Sequence, residues 1–301
     1  MIPSALMVVN GKGGVLKTTL SANLAGLIAA SGWRVLLVDL DPQANTEDDL
    51  GCRDRSDNGA ALLDTILSGQ PLRVVEGVRP NLDWIPAGER TTDLLHMLTM
   101  RMATGADDQI GHLDAALRTV ADRYNLIVLD CPPRDPVLHR LAFQAAHFVV
   151  IPTKPDVSSI KGLAGVFKPF AAGRTSNPDL EILGVVLGPI AVAATALERT
   201  VRGQLADVLG DEVHVFATTI REATAAATDC RRLGKLVHEY EEAARGAQPW
   251  YANRTGERFS RAAPGLAGDY ERLAAEIVDR FAERQAAYAA DRGLVAAGAE
   301  Q

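Results

Sequence analysis

Gly11-Lys12-Gly13-Gly14-Val15-Leu16-Lys17-Thr18-Thr19 follows the apolar run Ala5-Leu6-Met7-Val8-Val9 and precedes a helical pattern from Leu20 to Ala30. Strand, glycine-rich turn, lysine, hydroxyl and helix in that order make a polyphosphate cradle. Glycines let successive backbone N–H groups point at the anion, the lysine reaches its outer phosphates, and the hydroxyl takes a divalent cation. The pattern G-x-x-x-x-G-K-[ST] is met at Gly11, Lys17 and Thr18, with Leu16 where a glycine is expected before the lysine. A second lysine, Lys12, stands just ahead of Gly13 and Gly14.

Two further apolar runs end in carboxylates. Val35-Leu36-Leu37-Val38 leads into Asp39-Leu40-Asp41-Pro42-Gln43-Ala44-Asn45, and Leu126-Ile127-Val128-Leu129 leads into Asp130-Cys131-Pro132-Pro133. Short continuous apolar runs alternating with helical stretches predict an α/β fold with a mostly parallel twisted sheet, helices on both faces. Other strand candidates are His147 to Ile151, Ile182 to Leu187 and Leu82 to Ile85. Helices are expected at Thr18 to Ala30, Thr92 to Met102, Asp108 to Arg123, Ser158 to Ala171, Ala196 to Leu209 and Tyr270 to Ala290. The loop, Asp41 and Asp130 each follow a strand, and in open α/β sheets that carboxyl edge is where ligands bind.

Composition bounds the rest. With 301 residues, 47% of them hydrophobic, the chain can bury a sizeable core, and it shows no internal repeat or dividing linker. One domain is expected over residues 1–292, with a disordered tail over 293–301. The three cysteines, Cys52, Cys131 and Cys230, lack metal-ligand spacing and suggest a reducing compartment. No apolar run approaches the roughly 20 residues of a membrane span, and the start is unlike a signal peptide, so a cytoplasmic protein is expected.

Together these strings resemble the ParA/MinD family of deviant Walker A P-loop ATPases. The loop is similar to its K-G-G-x-G-K-[ST], the first aspartate string to its switch I D-x-D-P-Q-[GA]-N, and the second to its Walker B end D-x-P-P. More loosely, Thr218-Thr219-Ile220-Arg221-Glu222 through Asp229, Gly234-Lys235 and Glu239-Tyr240 resembles the late T-x-I-R…G-K…[ED]-Y stretch. The resemblance implies an ATPase using ATP and Mg²⁺, bound along Gly11 to Thr19, that dimerises on ATP. It implies that Lys12 touches the phosphates held by a partner subunit while Lys17 serves its own. Thr18 would ligate Mg²⁺, Asp39 and Asp130 would hold metal-bound waters, and Asp41 would orient the attacking water. Helix capping is the alternative for Asp39 and Asp130, a common fate at strand ends. For adenine, the family uses the loop after the strand ending at Leu187 and the T-x-I-R stretch.

Leu16 departs from the pattern. A side chain there could crowd the phosphates or strain the turn. The expectation is a helical backbone at Leu16, its side chain packed under the loop, with ATP binding retained and hydrolysis slow.

Cargo is read from the remaining sequence. Membrane-cycling members end in a basic amphipathic helix, but Tyr270 to Arg292 carries charges of both signs beside an apolar stripe of Leu273, Ile277, Phe281 and Tyr288. The stripe is expected to pack on the domain, and no membrane is expected. DNA-segregation members bind nonspecific DNA as ATP dimers and answer to a ParB-like partner. The net charge of −7 does not favour DNA, but phosphate contacts need only a local patch. Candidates are Arg245, Arg254, Arg258 and Arg261, interleaved with Trp250, Tyr251 and Phe259, and a second cluster of Arg231, Arg232 and Lys235. An ordinary solvated surface is the other reading of either cluster. Alanines fill 225–227, where many relatives place a DNA-binding arginine. The nearest branch is therefore the ParA-type DNA-partitioning one, with nucleoid association following from DNA binding. The alternative is a slowly hydrolysing or nonhydrolytic dimeric scaffold that positions a protein or membrane cargo. The iron–sulfur branches are excluded by the cysteine spacing, and a tyrosine-kinase branch by the scattered five tyrosines.

Overall fold

The computed structural model describes residues 1–105, 112–210, 213–247 and 259–292. The strands are β1 (Ala5–Val8), β2 (Val35–Asp39), β3 (Val75–Arg79), β4 (Leu82–Ile85), β5 (Leu126–Asp130), β6 (Phe148–Thr153), β7 (Glu181–Ile190) and β8 (Val215–Arg221). They form one sheet in the order β3-β4-β2-β5-β1-β6-β7-β8. All pairings are parallel except β3 with β4. The α/β expectation is met. β3 escaped the sequence reading because its residues are mostly part-exposed, with only Val78 buried, and so lack an apolar run. β8 escaped because Thr218 and Thr219 interrupt its apolar residues; only alternate positions, Phe216, Thr218 and Ile220, are buried, as in a strand covered on one face.

The central strands are buried on both faces. Alternate residues feed two cores: Met7, Leu36, Val38, Ile127, Leu129, Val149 and Ile151 on one side, and Leu6, Val8, Val35, Leu37, Val128, Phe148 and Val150 on the other. The helices are α1 (Lys17–Ala30), α2 (Asn45–Leu50), α3 (Ala60–Ser68), α4 (Glu89–Ala103), α5 (His112–Arg118), α6 (Pro136–Ala145), α7 (Val157–Gly162), α8 (Ala164–Ser176), α9 (Thr195–Leu209), α10 (Thr224–Leu233), α11 (Val237–Gly246) and α12 (Ala263–Asp291). Residues of α3, α4, α5, α6, α8 and α9 join the first core; α1, α10, α11 and α12 cover the second. The expected helix over Ser158 to Ala171 is two helices meeting at Leu163. The expected start of the helix at Asp108 lies outside the described residues, as does the 293–301 tail.

The C-terminal stripe packs inward. Leu273, Ile277 and Phe281 of the expected stripe are buried, continued towards the helix start by buried Leu266 and Tyr270 at the same spacing, while Tyr288 is only part-buried. Phe281 meets the ring of Phe148 at 5.2 Å and that of Trp33 at 6.3 Å. The flanking charges are used locally: Arg280 donates to the Leu183 carbonyl at 2.7 Å, and Arg284 pairs with Glu181 at 2.6 Å. Among the described residues, no helix is long and apolar enough to cross a membrane.

Phe281→Ala is expected to destabilise the chain by about 3–5 kcal/mol, as for large-to-small changes in a closed core. Chemical denaturation measures it; a loss below about 1 kcal/mol would mean that α12 is not part of the folding unit.

Candidate nucleotide site

β1, β2 and β5 lie side by side, in the register Val8 beside Asp130 and Asp39 beside Asp130. This register brings three segments distant in sequence to one edge. There they line a cavity of about 870 Å³ whose walls include Gly13 to Thr19, Asp41, Pro133 and, from the far side, Ile220 to Thr224. The size suits a nucleotide.

The loop is held from several directions. Asn10 accepts from the Lys12 amide at 2.9 Å and donates to the Pro152 carbonyl at 2.7 Å. Arg134 donates to the Gly11 carbonyl at 3.0 Å. Lys17 opens α1, is only 6% exposed, and donates to the Lys12 carbonyl at 3.2 Å, so its ammonium lies within the loop's curve. Burial pushes its pKa down, and Asp130 and Asp41 oppose that shift.

The carboxylates differ in what they have left to offer. Asp39 accepts from the Asp41 amide at 2.8 Å through one oxygen and from the Thr46 hydroxyl through the other. Both are committed within switch I, and neither caps the following helix, since α2 starts after Ala44 without a side-chain cap. Burial, then the charge of Asp130, pushes the Asp39 carboxyl well up. Asp130 accepts from Ser21 at 2.9 Å, while its second oxygen is buried with no hydrogen-bond partner. Burial raises its pKa to about 7, against the hydroxyls of Thr18 and Ser21. An orphaned buried oxygen beside Thr18 fits a metal-bound water. Asp41 is buried, faces the cavity, and accepts from the Gln43 amide at 3.0 Å. Among the described residues, no group of three or more His, Cys, Asp or Glu could hold a metal by itself. Mg²⁺ comes with phosphates and waters and needs only one or two protein ligands, a number that Thr18 and Asp130 can supply.

Lys12 points elsewhere. Its ammonium binds Asp156 at 3.1 and 3.3 Å, Ser158 at 2.7 Å and Ser159 at 2.8 Å, all at the start of α7. Burial works against ionising Asp156, but the hydroxyls of Ser158 and Ser159 and the Lys12 ammonium hold its carboxyl well below the usual range. In the single chain this lysine satisfies its charge within its own subunit, not on its own phosphate loop.

Leu16 requires a correction. Its backbone has φ 65° and ψ 10°, the left-handed region, not the helical conformation expected from the sequence. Glycine is favoured there because only it adopts that geometry without penalty. The other half of the expectation holds: the side chain is part-buried and packs on the second core.

Several residues at the site escaped the sequence reading. Lys154, Asn23, Asp49, Val237, Leu266 and Tyr270 also line the cavity. None sits in a phosphate-loop pattern, and only the fold gathers them. Pro189 and Arg221 to Thr224 line it too, where the resemblance places adenine contacts. Of the proposed DNA-contacting arginines, Arg245 is exposed beside Glu241, Arg261 is exposed, and Arg232 lies 3.4 Å from Asp229. Arg231 pairs with Asp49 at 2.8 Å. Arg254 and Arg258, with Trp250 and Tyr251, lie outside the described residues. Phe259 packs on Tyr240, ring to ring at 5.2 Å.

Known proteins match this arrangement. A family model described as an AAA domain matches residues 4–182. The chromosome-partitioning ATPase Soj of Thermus thermophilus is 33% identical over 246 residues, covering 80% of this chain and 90% of that one. The chromosome partitioning protein ParA of Caulobacter vibrioides is 30% identical over 295 residues, covering 93% and 96%. The chain belongs to the ParA/MinD family of P-loop ATPases. It is thereby an ATP-hydrolysing enzyme of the dimerising, cargo-positioning kind. The structure of cobyrinic acid a,c-diamide synthase from Mycobacterium smegmatis, with bound ATP analog and magnesium, superposes with a TM-score of 0.65 at 27% identity, covering 76% of this chain and 91% of that one.

Two outcomes are expected. Leu16→Gly relieves a left-handed backbone worth roughly 1–2 kcal/mol and forfeits a part-buried leucine worth at most about 1.5–3 kcal/mol. Its stability should therefore stay within about 1 kcal/mol of the parent, with ATP affinity little changed by calorimetric titration. A gain of ATP binding from nothing would show that the leucine blocks the site. Asp130→Asn should stabilise the nucleotide-free chain. The native carboxyl, raised from 3.8 to about 7, binds its proton more tightly when folded. Nucleotide-free stability therefore falls as pH rises across that window, and an uncharged side chain escapes the loss. Thermal unfolding at pH 5 and 7.5 should show the variant's gain growing from the lower to the higher pH, since pH 5 already lies inside that window, while Mg²⁺-dependent ATP affinity drops.

Proposed function

We propose that the chain is a DNA-positioning ATPase: two copies close on ATP and Mg²⁺, the dimer holds nonspecific DNA, and hydrolysis releases it, so that a DNA cargo is moved or partitioned. Two relatives matched over most of their length act in chromosome partitioning by name, which supports a DNA cargo over a protein or membrane one. The observation that carries the reading is the pair of lysines in one loop, Lys17 buried within it and Lys12 directed out of it. Two anionic nucleotides brought face to face need cations from both subunits.

The proposed roles rest on where each side chain lies. Lys17 neutralises the outer phosphates of its own subunit's nucleotide. Thr18, through its hydroxyl, and Asp130, through its unpartnered oxygen, would hold Mg²⁺ at this edge. Asp39 keeps switch I in shape while contributing charge to the same edge. Mg²⁺ supplies Lewis-acid stabilisation of the phosphate charge. Asp41, buried but directed into the cavity, orients the attacking water. Lys12 leaves Asp156, Ser158 and Ser159 for the partner's phosphates, so dimerisation exchanges one set of anionic partners for another. A DNA-bound ParB-like protein stimulates turnover, and DNA binding places the ATPase on the nucleoid. Arg232, Arg245, Arg254, Arg258 and Arg261 supply the phosphate contacts. The domain comprises residues 1–292.

Lys12→Ala should bind ATP nearly normally yet remain a monomer with ATP and Mg²⁺ in sedimentation, and lose DNA binding with it. An unchanged ATP-dependent dimer would remove the face-to-face arrangement.

For the parent, DNA binding should require ATP, ignore sequence and weaken steeply with salt. Each neutralised phosphate adds about 0.9 to the log–log slope on duplex DNA. Charge reversal at Arg254 and Arg258 should lower affinity and slope together. Sequence-blind binding that is absent at every salt concentration would favour the scaffold carrying a protein cargo.

A further inference from the structure

Switch I does not end free. Its Ala44 turns with φ 51° directly into α2, whose far end, Gly51 at φ 62°, meets Gly234 at φ 60°, the residue that closes α10. The approach is backbone on backbone. A Cβ placed on Gly51 would lie 2.9 Å from the Gly234 Cα, and one on Gly234 would lie 2.4 Å from the Gly51 Cα. Neither glycine can be exchanged without moving a helix end. Arg79 ties the same two ends together: one guanidinium nitrogen donates to the carbonyls of Leu50 and of Gly234, each at 3.0 Å. Glu239, which accepts from the Leu236 amide at 2.8 Å, pairs with that guanidinium and holds it in place.

The second attachment lies along the helices. Arg231 on α10 donates to Asp49 on α2 at 2.8 Å and reaches Asn45, the first residue of α2, at 3.5 Å. Asp49 is only 6% exposed, and its other carboxylate oxygen has no hydrogen-bond partner. Withdrawing Arg231 to serve an external phosphate would leave that buried charge uncompensated. Both residues also line the nucleotide cavity, beside Thr19 of the phosphate loop. The pair therefore stands between the nucleotide and the helix that carries the Arg231–Arg232 cluster.

We propose that Arg231 is a positioning residue for switch I: through Asp49 and Asn45 it fixes α2, and hence Asp41, and it makes α10 follow the nucleotide state. It does not contact DNA. The inference rests on the ATPase cycle proposed above, with Asp41 as the residue that orients water. With α2 fastened to α10 through Gly51–Gly234 and Arg231, rearrangement of switch I around a nucleotide either carries α10 with it or breaks an ion pair whose acid is buried. The outward face of α10 thereby acquires two positions, one for each nucleotide state.

The test uses the full chain and the variants Arg231→Ala, Arg231→Lys, Asp49→Asn and Arg231→Ala with Asp49→Asn. Turnover is measured at saturating ATP and Mg²⁺ without DNA, ATP affinity by calorimetry, and DNA binding with ATP present. Arg231→Ala should lower kcat about tenfold while ATP affinity changes less than about threefold. Arg231→Lys, which keeps a charge on Asp49, should recover most of the rate. Asp49→Asn should be impaired in both DNA-free turnover and DNA binding, and the double variant should be no worse than Arg231→Ala, because the two residues act as one unit. Unchanged kcat in Arg231→Ala, or losses that multiply in the double variant, would overturn the assignment. So would Arg231→Ala losing DNA binding at normal DNA-free turnover while Asp49→Asn keeps both, which makes Arg231 a DNA contact. A fall in thermal midpoint with kcat intact assigns the pair to stability alone and equally overturns it. Failure of the cycle itself reads differently: the unmodified chain would then show no turnover, and the inference would fall with it.

Discussion

Like charges crowded at one sheet edge around a single buried lysine set the terms for this site. Asp39 and Asp130 stand side by side in register, Asp41 follows two residues after the first, and Lys17 lies among them. Parallel strands make the crowding unavoidable, since each delivers its carboxyl end to the same side. Without nucleotide the charges are poorly matched: two carboxyls are pushed up by burial and the lysine is pushed down. On the roles proposed for them, a magnesium–phosphate complex would set a metal against the orphaned Asp130 oxygen and phosphate against Lys17. Binding of that kind would relieve the mismatch, which is how a cavity gains differential affinity for one class of ligand.

The backbone carries a matching strain. Leu16, Ala44 and Arg134 are non-glycine residues with positive φ, at 65°, 51° and 54°, and they sit respectively in the phosphate loop, at the end of switch I, and after Asp130-Cys131-Pro132-Pro133. Such conformations persist where surrounding structure over-determines them. Leu16 is held by packing on the second core, Ala44 by its amide donating to the Asp41 carbonyl at 2.8 Å, and Arg134 by its bond to Gly11. The anchors of Ala44 and Arg134 are themselves part of the site, so loop, switch and strand end support one another.

Much of this was legible in the sequence, for a definable reason. The phosphate loop, Asp39, Asp41 and Asp130 follow strands that are continuous apolar runs, so local pattern and local chemistry coincide and the shared edge can be read without coordinates. The helical backbone expected at Leu16 failed because φ is fixed by the turn, not by the residue that occupies it. β3 and β8 failed because edge and one-faced strands lack the apolar run that marks a central strand. The destination of Lys12 was illegible for another reason. A lysine's position in a motif says which subunit's phosphate it could reach, while its resting partners, Asp156, Ser158 and Ser159, come from a helix some 144 residues away.

The same distinction separates the two arginine neighbours. Arg231 and Arg232 look equivalent as a basic pair, yet successive residues on a helix point about 100° apart, and only Arg231 is turned towards a buried carboxylate. Electrostatics then divides their duties. An exposed pair such as Arg232 with Asp229 is worth little. The Asp49 partner cannot be abandoned so cheaply, because its carboxylate is enclosed. A basic cluster read from the sequence as one patch thus contains an arginine that holds the helix to the switch, and the burial of the acid it faces is what sets it apart.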